Sequence, residues 1–179
     1  MQGEIIRNKI TGDCYKKFHH SSGLEVLVWE MPGFSTTSAL FATKYGSINT
    51  RFKTKNDEGF IEVPDGIAHF LEHKLFENED CDVFELYAKT GASANAYTTF
   101  DHTAYLFDCS ENYADSLRIL LDFVQKPYFT QATVDKEQGI IGQEIKMCED
   151  SPQRQVLFNL LKCLYQKHPV RIDIAGTVE

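Results

Sequence analysis

The sequence predicts an α+β fold, with helices packed on one face of a mostly antiparallel sheet. Three observations support this prediction. Residues 4–44 are rich in β-forming side chains, with β-rich runs at 24–29 and 36–43. Residues 95–107 alternate and carry many aromatics, which predicts a hairpin that turns near 100–102. Segments with helical spacing precede and follow this hairpin.

Five helices are predicted, over residues 66–76, 82–89, 111–125, 131–149 and 152–166. Asp65, Thr130 and Ser151 each precede a helical pattern and are predicted to be N-terminal caps. The polar stretch 52–63 is predicted to be a surface loop.

Two single residues outside the main patterns have structural predictions. Trp29 alternates with apolar neighbours, so we expect it in the core. His168 precedes a proline and is predicted to end the last helix.

Length and composition are those of one globular domain of 179 residues, with 42% hydrophobic side chains. A net charge of −8 argues against nucleic acid as a partner, because phosphate binding needs clustered cations.

No segment has the pattern of a signal peptide or a membrane span, so a cytoplasmic protein that does not bind membranes is expected. The five cysteines are scattered without a C-x-x-C pair and are predicted to be reduced thiols.

The most informative stretch is 66–76, which contains His69, Glu72 and His73. Two histidines four residues apart on a helix leave the same face one turn from each other, and Glu72 shares that face. Two imidazoles and a carboxylate are the groups that a catalytic zinc uses as ligands and general base. The order His-x-x-Glu-His is the inverzincin motif of zinc peptidases. The alternative is a hydrogen-bonded pair of surface histidines.

A second acidic pair lies further along the chain. Glu137 and Glu144 are seven residues apart in the helix predicted over 131–149, so they lie on one face. Helical glutamates are most often solvated, and the spacing alone leaves that reading open.

The chain resembles the pitrilysin/insulinase family of metallopeptidases, and within it the bacterial zinc-dependent peptidases of the Firmicutes type. The resemblance covers most of residues 20–179 and lies in four segments that match the family: Gly46-Ser47, 66–73, 91–98 and 137–144. Residues 168–177 are also nearly identical to those bacterial peptidases.

The resemblance implies a zinc site and assigns its residues. The third ligand of the family is a glutamate about 70 residues beyond the second histidine, which is Glu144 here. His69, His73 and Glu144 would then bind Zn²⁺ and leave one position for water, with Glu72 as the general base. Glu137, seven residues before Glu144, would assist catalysis by holding a ligand or the bound water in place.

The hairpin is implied to bind substrate. In the family the matching strand is an exposed edge that pairs with an extended peptide, and Asn95 and Ala96 are the predicted contacts. The alternative is an ordinary hairpin with Asn95 at a turn.

Family members are much longer than this chain and combine two or more repeats of one fold. Residues 1–179 are therefore expected to be a single, incomplete N-terminal metallopeptidase domain that ends before its repeat is complete. The second repeat would come from the same polypeptide, from a different subunit or from another copy. We expect this chain alone to bind zinc and to cleave peptides poorly, because closure around the substrate needs the second repeat.

Two functions remain from the sequence. The first is a zinc-dependent endopeptidase that hydrolyses short peptides. The alternative is a non-catalytic peptide-binding or assembly subunit of the same fold. Retention of Glu72 beside all three predicted ligands favours the enzyme, and it disfavours a purely structural zinc site, which is usually closed by Cys and His.

Overall fold

The computed structural model describes residues 3–177 and divides into two compact units, one ending at Ser35 and the other beginning at Thr36. The first unit is an antiparallel sheet of three strands in the order β1-β2-β3, formed by Glu4–Arg7, Cys14–His19 and Glu25–Val28. Gly23 has a φ of 93° in the turn that joins β2 to β3, a conformation that glycine adopts without strain.

The second unit carries the remaining elements. Its strands are β4 (Thr37–Thr43), β5 (Arg51–Phe52), β6 (Ile61–Glu62), β7 (Ser93–Thr98) and β8 (Thr103–Cys109). Its helices are α1 (Ile67–Lys74), α2 (Val83–Thr90), α3 (Tyr113–Phe123), α4 (Gln131–Glu149) and α5 (Pro152–Leu164), followed by the 3₁₀ turn Pro169–Arg171.

The main sheet of the second unit is antiparallel, in the order β4-β8-β7. Alternate residues of its central strand, Tyr105, Phe107 and Cys109, are buried in the core together with helical side chains such as Leu120 and Phe123. Leu40, on the opposite face of the sheet, is 53% exposed. The predicted α+β class, with helices on one face of a mostly antiparallel sheet, is confirmed.

The helix caps follow the sequence prediction at two of three positions. The side chains of Thr130 and Ser151 accept backbone N–H groups of α4 and α5, as predicted. The prediction for Asp65 is wrong, because the N-cap of α1 is Gly66 with a φ of 85° and no side-chain cap. The chain enters α1 through a left-handed residue, which favours glycine over a capping side chain.

Four other structural predictions need correction. Residues 52–63 are not wholly loop, because β5 and β6 pair as a short antiparallel ribbon. The prediction that Trp29 is in the core is wrong, since its side chain is 56% exposed next to a strand that is exposed along its whole length. The last helix ends at Leu164, and His168 instead caps the 3₁₀ turn through Nδ1, which accepts the N–H of Val170. The helix predicted from residue 111 begins at Tyr113.

The five cysteines are free, which agrees with the prediction of reduced thiols. Within residues 3–177, the helices are too short or too polar to cross a membrane.

Candidate metal centre

Helix α1 presents two imidazoles toward α4. Nε2 of His69 and Nε2 of His73 each lie 3.5 Å from a carboxylate oxygen of Glu144. The two rings are 4.6 Å apart between centroids and are tilted edge to face, as expected for residues one turn apart. Two segments that are distant in the sequence therefore bring three potential ligands to one place.

The geometry of these three side chains fits a zinc ion. Their ligand atoms all lie within 4.8 Å of one another. Ligands of a tetrahedral zinc, each about 2.0–2.1 Å from the ion, are about 3.3 Å apart. The separations from Glu144 are close to that value, and two imidazoles with one carboxylate are a donor set that catalytic zinc sites use.

A buried carboxylate orients His73. Nδ1 of His73 lies 2.9 Å from Oε1 of Glu137, whose side chain is only 11% exposed. With Glu137 ionised, Nδ1 carries the hydrogen and donates it, which leaves the Nε2 lone pair directed at Glu144 and the metal position. Glu137 thus contacts one of the three converging side chains without being one of them, and its assisting role stays a prediction.

His69 is held in a different way. Its side chain is 11% exposed, and Nδ1 has no hydrogen-bond partner among the described residues. Burial lowers the pKa of His69, the nearby Glu144 carboxylate opposes this shift and His73 adds to it. The ring is therefore neutral near pH 7, the form that binds a metal.

Glu72 is held by the main sheet. Oγ1 of Thr98, at the end of β7, donates a hydrogen bond of 2.7 Å to Oε2 of Glu72. Thr98 follows Ala94 and Ala96 on the side of β7 that faces the helices, because strand residues alternate between faces. The negative charge of Glu72 also acts on His69. It raises the pKa of His69, but by less than burial lowers it. The carboxylate therefore lies beside the three converging side chains without being one of them.

Strand β7 is an edge of the main sheet and contains both predicted substrate contacts. Asn95 pairs with Leu106 and Ala96 with Tyr105 of β8. Oδ1 of Asn95 accepts the N–H of Ala96 at 2.9 Å. The alternative that places Asn95 at a turn is wrong, since the residue lies within the strand. The substrate role of the two residues stays a prediction.

Three contacts at the site were missed by sequence reasoning. The hydrogen bond from Thr98 was predictable from strand alternation, which places residues 94, 96 and 98 on one face. The ion pair between Arg154 and Asp173 and the close approach of Gly66 to Gly176 join distant segments. No local pattern signals either of those.

Comparison with known proteins identifies the family. The profile of the insulinase family, described as peptidase family M16, matches residues 61–178. The chain belongs to the insulinase family. The predicted resemblance to pitrilysin/insulinase metallopeptidases is thereby confirmed.

Several bacterial proteins are similar to this chain. A protein of Bacillus subtilis named uncharacterized zinc protease YmfH is 57% identical over 159 residues, which are 89% of this chain and 37% of that protein. An uncharacterized zinc protease of Rickettsia felis is 31% identical over 160 residues, covering 87% of this chain and 36% of the relative. The chain thus spans less than two fifths of the length of these relatives.

Solved structures agree with this assignment. An M16-like peptidase from Alicyclobacillus acidocaldarius superposes with a TM-score of 0.86 at 46% identity, over 99% of this chain and 39% of that one. A protease from Helicobacter pylori gives a TM-score of 0.77 at 22% identity, over 93% and 39% of the two chains, and shows the fold alone.

Proposed function

We propose that this chain carries the zinc site and the general base of a metalloendopeptidase that hydrolyses short peptides. The observation that carries the proposal is the convergence of His69, His73 and Glu144, with ligand atoms within 4.8 Å of one another. The names of the relatives, which describe zinc proteases, support the same metal. His69 and His73 would bind through Nε2 and Glu144 through its carboxylate.

Zinc bound there would supply Lewis acidity, lowering the pKa of a coordinated water and polarising the scissile carbonyl. Glu72 would accept the proton of the attacking water and deliver it to the leaving amine. Thr98 holds one carboxylate oxygen of Glu72 at 2.7 Å, which restricts the side chain to few rotamers.

Strand β7 is the proposed site of peptide binding. An extended substrate would add to the open edge of the β4-β8-β7 sheet by backbone pairing, which demands no particular side-chain sequence. A substrate strand that pairs with the N–H of Ala96 must displace Oδ1 of Asn95, which then becomes free for a second contact. A second family repeat, in the same polypeptide or in another subunit, would enclose the peptide.

Substitution of Glu72 by glutamine tests the catalytic part of this proposal. In a protein of the relatives' length that contains this chain, Glu72→Gln should abolish cleavage of a fluorogenic peptide and leave about one zinc per chain. Glu62→Gln, an exposed change on β6, is the matched control and should cleave like the parent. A Glu72→Gln protein that still cleaves at the parental rate would contradict the assignment and favour a different base.

A further inference from the structure

The segment Asp173–Gly176, which we call the clasp, contacts three helices of the second unit. Nε of Arg154, on α5, donates to Oδ2 of Asp173 at 2.7 Å, and Nη2 donates to Oδ1 at 2.5 Å. Oδ1 also accepts the N–H of Ala175 at 3.0 Å. This bidentate guanidinium–carboxylate pair fixes both the position and the orientation of the clasp on α5.

The clasp meets the start of α1 backbone to backbone. A Cβ built on Gly66 would lie 2.5 Å from the carbonyl oxygen of Ala175, and one built on Gly176 would lie 2.5 Å from that of Asp65. Both glycines have a positive φ, of 85° and 82°. The contact therefore requires glycine on both sides, for space as well as for conformation.

The third contact of the clasp is with α4. Ala175 is 5% exposed and forms a small apolar cluster with Ile141 and Ile145, against which Phe70 of α1 also packs. The clasp thus lies where α1, α4 and α5 come together.

This position bears on the metal centre, because its ligands belong to two different helices. His69 and His73 lie on α1, whereas Glu144 lies on α4, one residue before Ile145. Nδ1 of His69 has no hydrogen-bond partner among residues 3–177, so packing around α1 must fix the ring. Gly66, which the clasp contacts, is less than one turn before His69.

We propose that the clasp sets the spacing between α1 and α4, so that Arg154, Asp173 and Gly176 act as positioning residues for metal binding without being ligands. This inference rests on the proposed zinc site. It adds that the affinity of that site depends on an ion pair and a glycine contact that include none of the ligand atoms, although the charges of the pair act on His69 and Glu144. Loss of either should weaken zinc binding about tenfold or more, as found for groups that orient metal ligands.

The test measures the zinc dissociation constant of the 179-residue chain by competition with a chromogenic chelator, at a temperature where the metal-free form is fully folded by circular dichroism. Arg154→Met removes the ion pair and keeps an apolar side chain against Phe158, whose ring the guanidinium now covers at 5.6 Å. Gly176→Ala breaks the backbone contact without changing charge. Leu120→Ala, in the main core on α3, is the control for loss of stability alone.

Both clasp variants should raise the zinc dissociation constant at least tenfold and change the visible spectrum of the cobalt(II)-substituted chain, which reports ligand geometry. Leu120→Ala should melt at a lower temperature than the parent and bind zinc within about twofold of it. Asp173→Asn, which keeps the side-chain volume, replaces Arg154→Met as the ion-pair variant if that protein does not fold. If Gly176→Ala does not fold, the ion-pair variant alone decides the test.

Three results would overturn the inference. Clasp variants that are folded and bind zinc like the parent would refute the proposed positioning role of the clasp. They would leave the proposed function intact. An equal loss of zinc affinity in Leu120→Ala would show that the weaker binding of the clasp variants comes from lower overall stability and not from a positioning role. A parent chain that binds no zinc would refute the proposed metal site and the clasp with it.

Discussion

At the scale of single residues, two glutamates of one helix differ in what they contact. Glu144 faces both imidazole Nε2 atoms at 3.5 Å, whereas Glu137, two turns earlier, faces Nδ1 of His73 at 2.9 Å. The same carboxylate chemistry therefore serves as a proposed ligand in one case and as an orienting hydrogen-bond acceptor in the other.

Glu137→Gln is expected to weaken zinc binding about 10- to 100-fold, because an amide holds the His73 tautomer less firmly than a carboxylate does. Competition with a chromogenic chelator measures the change. Glu149→Gln, an exposed change at the end of the same helix, should bind zinc like the parent. Equal affinities for the parent and Glu137→Gln would show that Glu137 does not orient the ligand.

Thr98→Val removes the hydroxyl that donates to Glu72 and keeps the side-chain shape. Loss of a hydrogen bond to a charged group costs about 1.5 kcal/mol or more, which corresponds to about a tenfold fall in kcat. Zinc content should stay at the parental level, and Thr98→Ser, which retains the donor, should restore most of the rate. Peptide cleavage by a protein of the relatives' length measures this, and parental kcat in Thr98→Val would remove Thr98 from the proposed catalytic arrangement.

At the scale of elements, helix α1 depends on how it begins. Gly66 must adopt a φ of 85° while the carbonyl of Ala175 lies against it. Glycines within α4 are different, since nothing lies within 4 Å of a Cβ built on Gly139. The same substitution should consequently have opposite effects at the two places.

Gly66→Ala should lower the free energy of unfolding by about 1–3 kcal/mol, from backbone strain and the close contact. Gly139→Ala should raise it by about 0.5–1 kcal/mol, because alanine is the better helix former in open space. Urea titration of the metal-free chain measures both. A Gly66→Ala chain as stable as the parent would show that the left-handed start of α1 is not required.

The elements also show which features a sequence can predict. The histidine pair was predictable because helical spacing is local, and the cap at Thr130 follows from the same local chemistry. Assignment of Glu144 required the family resemblance, since spacing alone did not distinguish it from a solvated glutamate. The start of α1 at Gly66 depends on a contact with residues more than 100 positions later, which no local pattern contains. The prediction that Trp29 is buried was wrong because alternation predicts one buried face, whereas the neighbouring strand β3 is exposed on both faces.

At the scale of the whole molecule, the proposed site draws on one part of the chain. α1, β7 and α4 all belong to the unit that begins at Thr36, and the insulinase-family match begins at residue 61. The proposed ligands, the proposed base and the proposed substrate edge therefore come from one compact unit. That unit should bind metal by itself, whatever further repeat peptide cleavage requires.

The most direct test of the proposed metal centre is the zinc content of the purified 179-residue chain, measured by elemental mass spectrometry beside Glu144→Ala. We expect about one zinc per parent chain and a content that is lost or much reduced in Glu144→Ala, because two histidines alone hold the ion weakly. Glu149→Ala, in the same helix, should retain the parental content. A folded parent chain without zinc, or a Glu144→Ala chain that retains it fully, would contradict the proposed metal centre.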